Sequence, residues 1–280
     1  MKKLSLFALI LPLLGCGHAD ENNEVSSKQN NIKQEPPIIE DEKPKNVAST
    51  KEDNRSYNLN DLNSQIINIS QEEETAKPFV KKDSTLLDVI IIRQTPELRN
   101  GCEVTSLAMM LSYAGVQTNK MELYRLIRKD PDPLIKSPKG DFLHWGNPDH
   151  GFVGDMTGKQ PGYAAFEQPM IDLINQKLPG RAVNLTKQPF EKILEHVSSG
   201  FPVVIWTTGD YRLPDRWEAW NHGKESIKTP LDLHVVLLVG YDEGHVYLND
   251  PLSGKKQVKV NKNQFIASWN ALENRAVSYK

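Results

Sequence analysis

Hydrophobic and polar positions divide this chain into three stretches. A short apolar run from Leu4 to Leu14 follows Lys2 and Lys3. From Gly17 to about Ser84 the positions are mainly Asn, Glu, Lys, Gln, Ser and Pro, with Tyr57 and Phe79 as the only aromatics. Apolar periodicity then sets in. Residues 87–92 are rich in β-branched side chains and predict a strand. Val104, Leu107, Ala108 and Leu111 share a face of a helix over 102–114, stopped by Gly115. Asn119 and Glu122 have capping-box spacing and open a second helix through Ile127. A Gly-, Pro-, Asp- and His-rich stretch over 130–162 reads as a long loop. Helices follow at 167–176 and 189–199. Strands are then predicted at 202–207, 234–241, 245–249 and 257–260, a short helix at 265–272, and a last strand at 275–279. Helices first and antiparallel strands later give an α+β domain over 85–280, its N-terminal helices packed on an antiparallel sheet.

The first run is too short to span a bilayer and fits the apolar part of a signal peptide over 1–15. It ends in Leu13-Leu14-Gly15-Cys16, which resembles the lipobox of bacterial lipoproteins. That resemblance implies a lipidated Cys16, export, and a membrane or cell-envelope location through the lipid anchor. An ordinary signal peptide cut nearby is the alternative, and it too gives an exported protein. The polar stretch 16–84 lacks the apolar surface to offset chain entropy and is expected to be a disordered tether. As a coil it would span roughly 45 Å.

Composition narrows the function classes. A formal net charge of -2, scattered basic residues and no Gly-rich phosphate loop give no support for nucleotide or nucleic acid as partner. The two cysteines, Cys16 and Cys102, are separated by the polar tract and do not make a disulfide scaffold.

Cys102 opens the first predicted helix, where backbone N–H groups and the helix dipole favour a thiolate and can hold an oxyanion. A small buried hydrophobe is the alternative reading of a lone cysteine. His234 begins a strand, and a turn at Asp242-Glu243-Gly244 returns the chain to Asn249-Asp250-Pro251. A hairpin centred near Glu243 sets His234 opposite residues around 250 to 253. Pro251 cannot donate to a ladder and ends the strand with Asp250 at the same end as His234. Cross-strand spacing then lets a carboxylate orient an imidazole. Taken singly, His234 could be a satisfied core histidine and Asp250 a turn residue before proline.

The run from Gln94 to Ser106, with Gly101-Cys102-Glu103-Val104-Thr105-Ser106 at its end, resembles the bacteriocin-processing (double-glycine leader) peptidase-like group in a stand-alone branch. Gly146-Asn147-Pro148, the run from Gly151 to Asp155, His234 and Asn249-Asp250-Pro251 extend the resemblance over nearly all of 86–280. It implies a papain-like cysteine peptidase fold, with Cys102 as nucleophile, His234 as general base and then acid, and Asp250 orienting His234. It further implies Gln94 as an amide donor to the oxyanion beside the Cys102 N–H. The chain has neither the transporter segments nor the nucleotide-binding domain of leader peptidases fused to export pumps, so their double-glycine substrate is not carried over.

The expected activity is hydrolysis of peptide or amide bonds in a peptide or protein substrate, by a monomer needing no metal or cofactor. Acyl transfer to an amine on the same triad and non-catalytic binding of peptide or cell-wall fragments are the alternatives. His144, Asp149, His150 and Asp155 crowd one loop, but their spacing is irregular for ligands, and a cleft wall with Trp145, Phe152 and Tyr163 is favoured. Residues 210–222, with Tyr211, Trp217 and Trp220, read either as a second cleft loop or as packing over the sheet. Glu103 either tunes the thiol or complements the helix dipole.

Overall fold

The computed structural model describes residues 80–280. The expected signal peptide over 1–15, the lipidation at Cys16 and most of the tether lie outside the described residues. Contacts with the folded domain begin by Lys82, whose N–H donates to Ser198 Oγ and whose carbonyl accepts from Tyr241 Oη.

A large antiparallel sheet organises the domain, in the order β12-β11-β10-β7-β13-β6. Its strands are β6 (Ala182–Asn184), β7 (Val203–Thr208), β10 (Leu233–Tyr241), β11 (His245–Asp250), β12 (Lys255–Asn261) and β13 (Ala276–Tyr279). A short β1 (Thr85–Leu86) pairs with β10 near its C-terminal end. Val235 to Val239 of β10 are all 0% exposed, as expected of a central strand covered on both faces, which reads as an unbroken apolar run. Helices α1 (Cys102–Tyr113) and α4 (Phe190–Ser198) pack on β10, and α5 (Lys262–Ala271) lies on β7, β11 and β12. Helices α2 (Lys120–Leu126) and α3 (Glu167–Lys177) pack against α1.

Sandwiched between sheet and helices, α1 is buried from Cys102 through Leu111 rather than along one stripe. Its C-terminus is stopped as expected, with Gly115 in the left-handed region at φ +82°. At α2, Asn119 Oδ1 caps the N–H groups of Met121 and Glu122. Glu122 does not reach back to close the box; it accepts from Thr118 Oγ1 and pairs with Lys177.

Residues 87–92 do not form the expected strand. The Leu87 N–H donates to Val239, and beyond that point Asn249 Nδ2 takes the carbonyls of Val89 and Ile90. One side chain thus replaces a neighbouring strand, and the segment crosses the sheet as extended chain.

The stretch expected to be a long loop carries β2 (Lys129–Asp130), β3 (Ile135–Lys136), β4 (Phe142–His144) and β5 (Phe152–Val153). The second expected loop runs into a hairpin of β8 (Trp217–His222) and β9 (Glu225–Pro230). These build a small sheet, β3-β4-β8-β9, beside the parallel pair β2-β5. A separate apolar cluster holds this region: Trp145, Val153 and Trp220 are buried, with Leu134, Phe142, Tyr163 and Ile227 packed around them.

Candidate active site

The site forms where the N-terminus of α1 meets the start of β10. Gly101 precedes Cys102 because the chain turns too tightly for a side chain: a Cβ there would lie 2.5 Å from Leu98 Cβ. Asn100 fixes the approach by donating its N–H to Met156 O and its Nδ2 to Asp155 O. Inside the helix, Ser106 Oγ donates to Val235 O at 3.2 Å, tying the first turns of α1 to the residue after His234.

The hairpin register agrees with the sequence reading. Leu237 pairs with Asn249 and Leu238 with Leu248, which leaves Asp250 at the end of β11 nearest His234. His234 Nε2 lies 2.8 Å from Asp250 Oδ1, and both residues are buried. Asp250 also accepts the Leu252 N–H at 2.9 Å on Oδ1 and the Ser253 N–H at 3.3 Å on Oδ2. The turn residue and the partner of the imidazole are therefore one group. Burial disfavours its ionisation, but the His234 bond, the imidazole charge and the turn amides outweigh that, and the carboxyl sits far below its ordinary range.

Gln94 sits between these elements. Its N–H donates to Pro251 O at 2.9 Å, and its Nε2 donates to Arg99 O at 2.7 Å, three residues before Cys102. Gln94 Oε1 is buried without a partner.

Cys102 is 7% exposed, and its Sγ donates to Glu103 Oε2 at 3.4 Å. Among the described residues no hydrogen bond joins the sulfur to the His234 ring, whose Nδ1 is likewise unbonded. The expected thiolate-favouring effect of the helix start is overridden: burial, then the Glu103 charge, push the thiol well up, against a smaller opposing pull from the Val235 amide. Glu103 is itself 0% exposed, and burial raises its carboxyl to about 7. Its Oε1 accepts the Ala165 N–H at 2.9 Å, so one carboxylate spans the thiol and the chain leading into α3.

The sequence places Tyr211 either in a cleft loop or in packing over the sheet, with no tie to Asp250. Burial first, then the nearby Asp250 carboxylate, raise its phenol above the ordinary range and hold it protonated. Its backbone is at φ 63°, an unfavourable conformation for a bulky residue. Nothing in the linear order could have linked it to Asp250, because the pairing depends on the loop after β7.

The four residues crowded in the 144–155 loop are not brought together. His144 Nε2 pairs with Asp132 at 3.1 Å, Asp149 with Arg275 at 3.3 Å, and Asp155 accepts the N–H groups of Thr157, Lys159 and Gln160 within its own turn. His150 instead lies beside His222 and Asp130.

An α+β domain with an antiparallel sheet, and a helix whose first residue is a cysteine lying against a strand whose histidine pairs with an aspartate of the next strand, is the architecture of papain-like cysteine peptidases. The chain belongs to the Peptidase_C39 like family, whose model matches residues 86–277. Among its relatives is the uncharacterized protein YvpB of Bacillus subtilis, 33% identical over 204 residues, covering 72% of this chain and 78% of that protein. The crystal structure of a Bacillus anthracis protein described as a C39-like peptidase is 36% identical with a TM-score of 0.64, covering 71% of this chain and 98% of that one.

Proposed function

We propose that the protein is a lipid-anchored, exported thiol hydrolase that cleaves peptide or amide bonds with Cys102, His234 and Asp250. The observation that carries this reading is the buried His234–Asp250 pair, 2.8 Å apart across β10 and β11, with Val235, the residue after His234, bonded by Ser106 of the helix that Cys102 opens. Asp250 occupies Nε2, which leaves Nδ1 as the nitrogen to take the thiol proton once Sγ turns from Glu103. The thiolate attacks the amide carbonyl carbon, and the oxyanion is held by the Cys102 N–H and the second hydrogen of Gln94 Nε2. The proton on His234 passes to the leaving amine. Water then attacks the thioester, returning a proton to sulfur through His234 and releasing the acid.

The test is incubation of the full chain with a peptide library and a thiol-directed probe. Cleavage and labelling that both disappear in Cys102→Ala, and cleavage that falls in His234→Ala, are expected. Labelling or cleavage that persists in Cys102→Ala would remove the mechanism. Anchoring rests on the sequence ahead of Cys16 and is tested separately. Fatty-acid labelling should be lost in Cys16→Ser, and an unlabelled parent chain ends the claim.

A further inference from the structure

Outside the thiol site, the small-sheet region gathers side chains whose chemistry the hydrolase reading does not use. Asp130 on β2, His150 in the turn after Asn147 and His222 at the end of β8 bring one donor atom each to within 4.8 Å of one another. They come from three separate parts of the chain. We propose that these three residues form a binding site for a divalent cation of the zinc class, which fastens the end of β8 to β2 and to the turn carrying His150.

The donor set selects the cation. Two imidazoles and one carboxylate suit zinc and its neighbours, whereas calcium and magnesium take oxygen ligands. The spacing agrees. His222 Nε2 lies 3.3 Å from Asp130 Oδ2, longer than the ~2.7–2.9 Å of a charge-assisted hydrogen bond. It matches the edge, about 3.3 Å, of a tetrahedron with bonds of about 2.0–2.1 Å.

The supporting groups are those a ligand set needs. Asp130 is buried, and its carboxylate is aimed by two backbone donors, Asn147 N–H at 3.1 Å on Oδ2 and Asp132 N–H at 3.0 Å on Oδ1. Arg128 grips the carbonyl of His150 and fixes that turn. Asp132 Oδ2, 3.4 Å from His222 Nε2 and 3.1 Å from His144 Nε2, stands ready to complete the fourth position. His150 is exposed, and a cleft of about 800 Å³ lined by Asp130 and Asp132 opens beside the group, so a cation has an entry path.

The experiment uses the full chain carrying Cys102→Ala, so that the thiol does not compete for metal. The protein is stripped with a chelator, desalted, and titrated with Zn²⁺ against a chromophoric competitor; Co²⁺ uptake is followed by visible absorption. One equivalent should bind with a Kd of about 1 µM or tighter, with the absorption of a tetrahedral cobalt site. His222→Ala and His150→Ala should each weaken binding at least about 100-fold, and Asp132→Asn by about 10-fold. Zinc should raise the thermal midpoint of the parent and leave that of His222→Ala unchanged. Because His150 is exposed, His150→Ala keeps the test decisive even where His222→Ala fails to fold. Binding weaker than about 100 µM in the parent, or undiminished in His150→Ala, would overturn the proposal.

Discussion

The large sheet and the small sheet of this domain are held together by different means. Around β10 the chain is a continuous apolar run, α1 is buried on all sides, and the functional pair His234–Asp250 is set by strand register. Around β8 the strands are short and part of their apolar surface faces solvent, with Ile135, Leu143 and Trp217 each about half exposed. Their order comes from particular side chains: Trp220 Nε1 donating to Gly146 O, Trp145 and Phe142 edge to face, and His222 among the aspartates. A register held by a buried face leaves little freedom to a site built on it. A region held by a few specific contacts can loosen locally while the rest stays folded. The thiol site therefore rests on the firmly registered region, and the small sheet is the part expected to loosen first.

The largest expected effect tests the large-sheet side. Asp250→Ala removes the partner of His234 and the acceptor of two turn amides. In the proposed mechanism kcat/KM should fall by about 10²- to 10⁴-fold, measured on any substrate the library yields. Unaltered kcat/KM in a folded variant would detach Asp250 from the chemistry.

Trp220→Ala probes the other side. Truncating a buried tryptophan costs about 3–5 kcal/mol, and here the loss should fall on the small sheet. Hydrogen exchange should quicken in the amides of β8 and β9 and stay slow in β10 and β11. If all four strands lose protection together, the two regions unfold as one unit and the comparison fails.

Glu103 sharpens the comparison through pH. Burial raises its carboxyl to about 7, from an ordinary value near 4.5, so the folded state favours the neutral form. The stability this group contributes is complete below about pH 4.5 and is lost as pH rises through about 7. Between about pH 5 and pH 8 the loss is on the order of 2 kcal/mol. Glu103→Gln should flatten that part of the profile in urea unfolding, while a substitution in the small sheet should leave its slope unchanged. An equal slope in Glu103→Gln would show that another group titrates.

How much of this was legible in the sequence follows the same division. The hairpin joining His234 to Asp250 could be read because an unbroken apolar run, a tight turn and Pro251 fix a register locally. The helix at Cys102 was also readable, but not its burial on every side, which depends on α3 returning from more than fifty residues downstream. Residues 87–92 misled for a physical reason: their composition suits a strand, yet the Asn249 side chain takes the carbonyls of Val89 and Ile90 where a strand would pair. The thiolate expected from the helix dipole gave way to desolvation and to Glu103, both properties of the packed state. Asp130 and His222 lie far apart in the chain, and no local periodicity marks them as neighbours, so the sequence called for no metal where the structure gathers three ligand-type side chains.

The smallest effect is expected where the two regions meet. Tyr163 packs its ring on Trp145 and Trp220 and also touches the main core. Its hydroxyl lies 2.6 Å from Thr229 Oγ1 and donates to Pro230 O at 2.8 Å, closing the end of β9. Two residues on, Ala165 donates its N–H to Glu103, and its carbonyl accepts from Trp206 Nε1 on β7. The segment is therefore a seam, with its aromatic end in the small sheet and its backbone end at the thiol site. Tyr163→Phe keeps the ring and removes only the hydroxyl, which should cost about 1–2 kcal/mol because a buried carbonyl is left short of a donor. Unfolding by urea gives that number, and hydrogen exchange locates it. Faster exchange confined to β9 means the seam transmits little, and the thiol site is insulated from the small sheet. Faster exchange that also reaches Ala165 means the hydroxyl helps hold the backbone that positions Glu103, and the small sheet then bears on the state of the thiol.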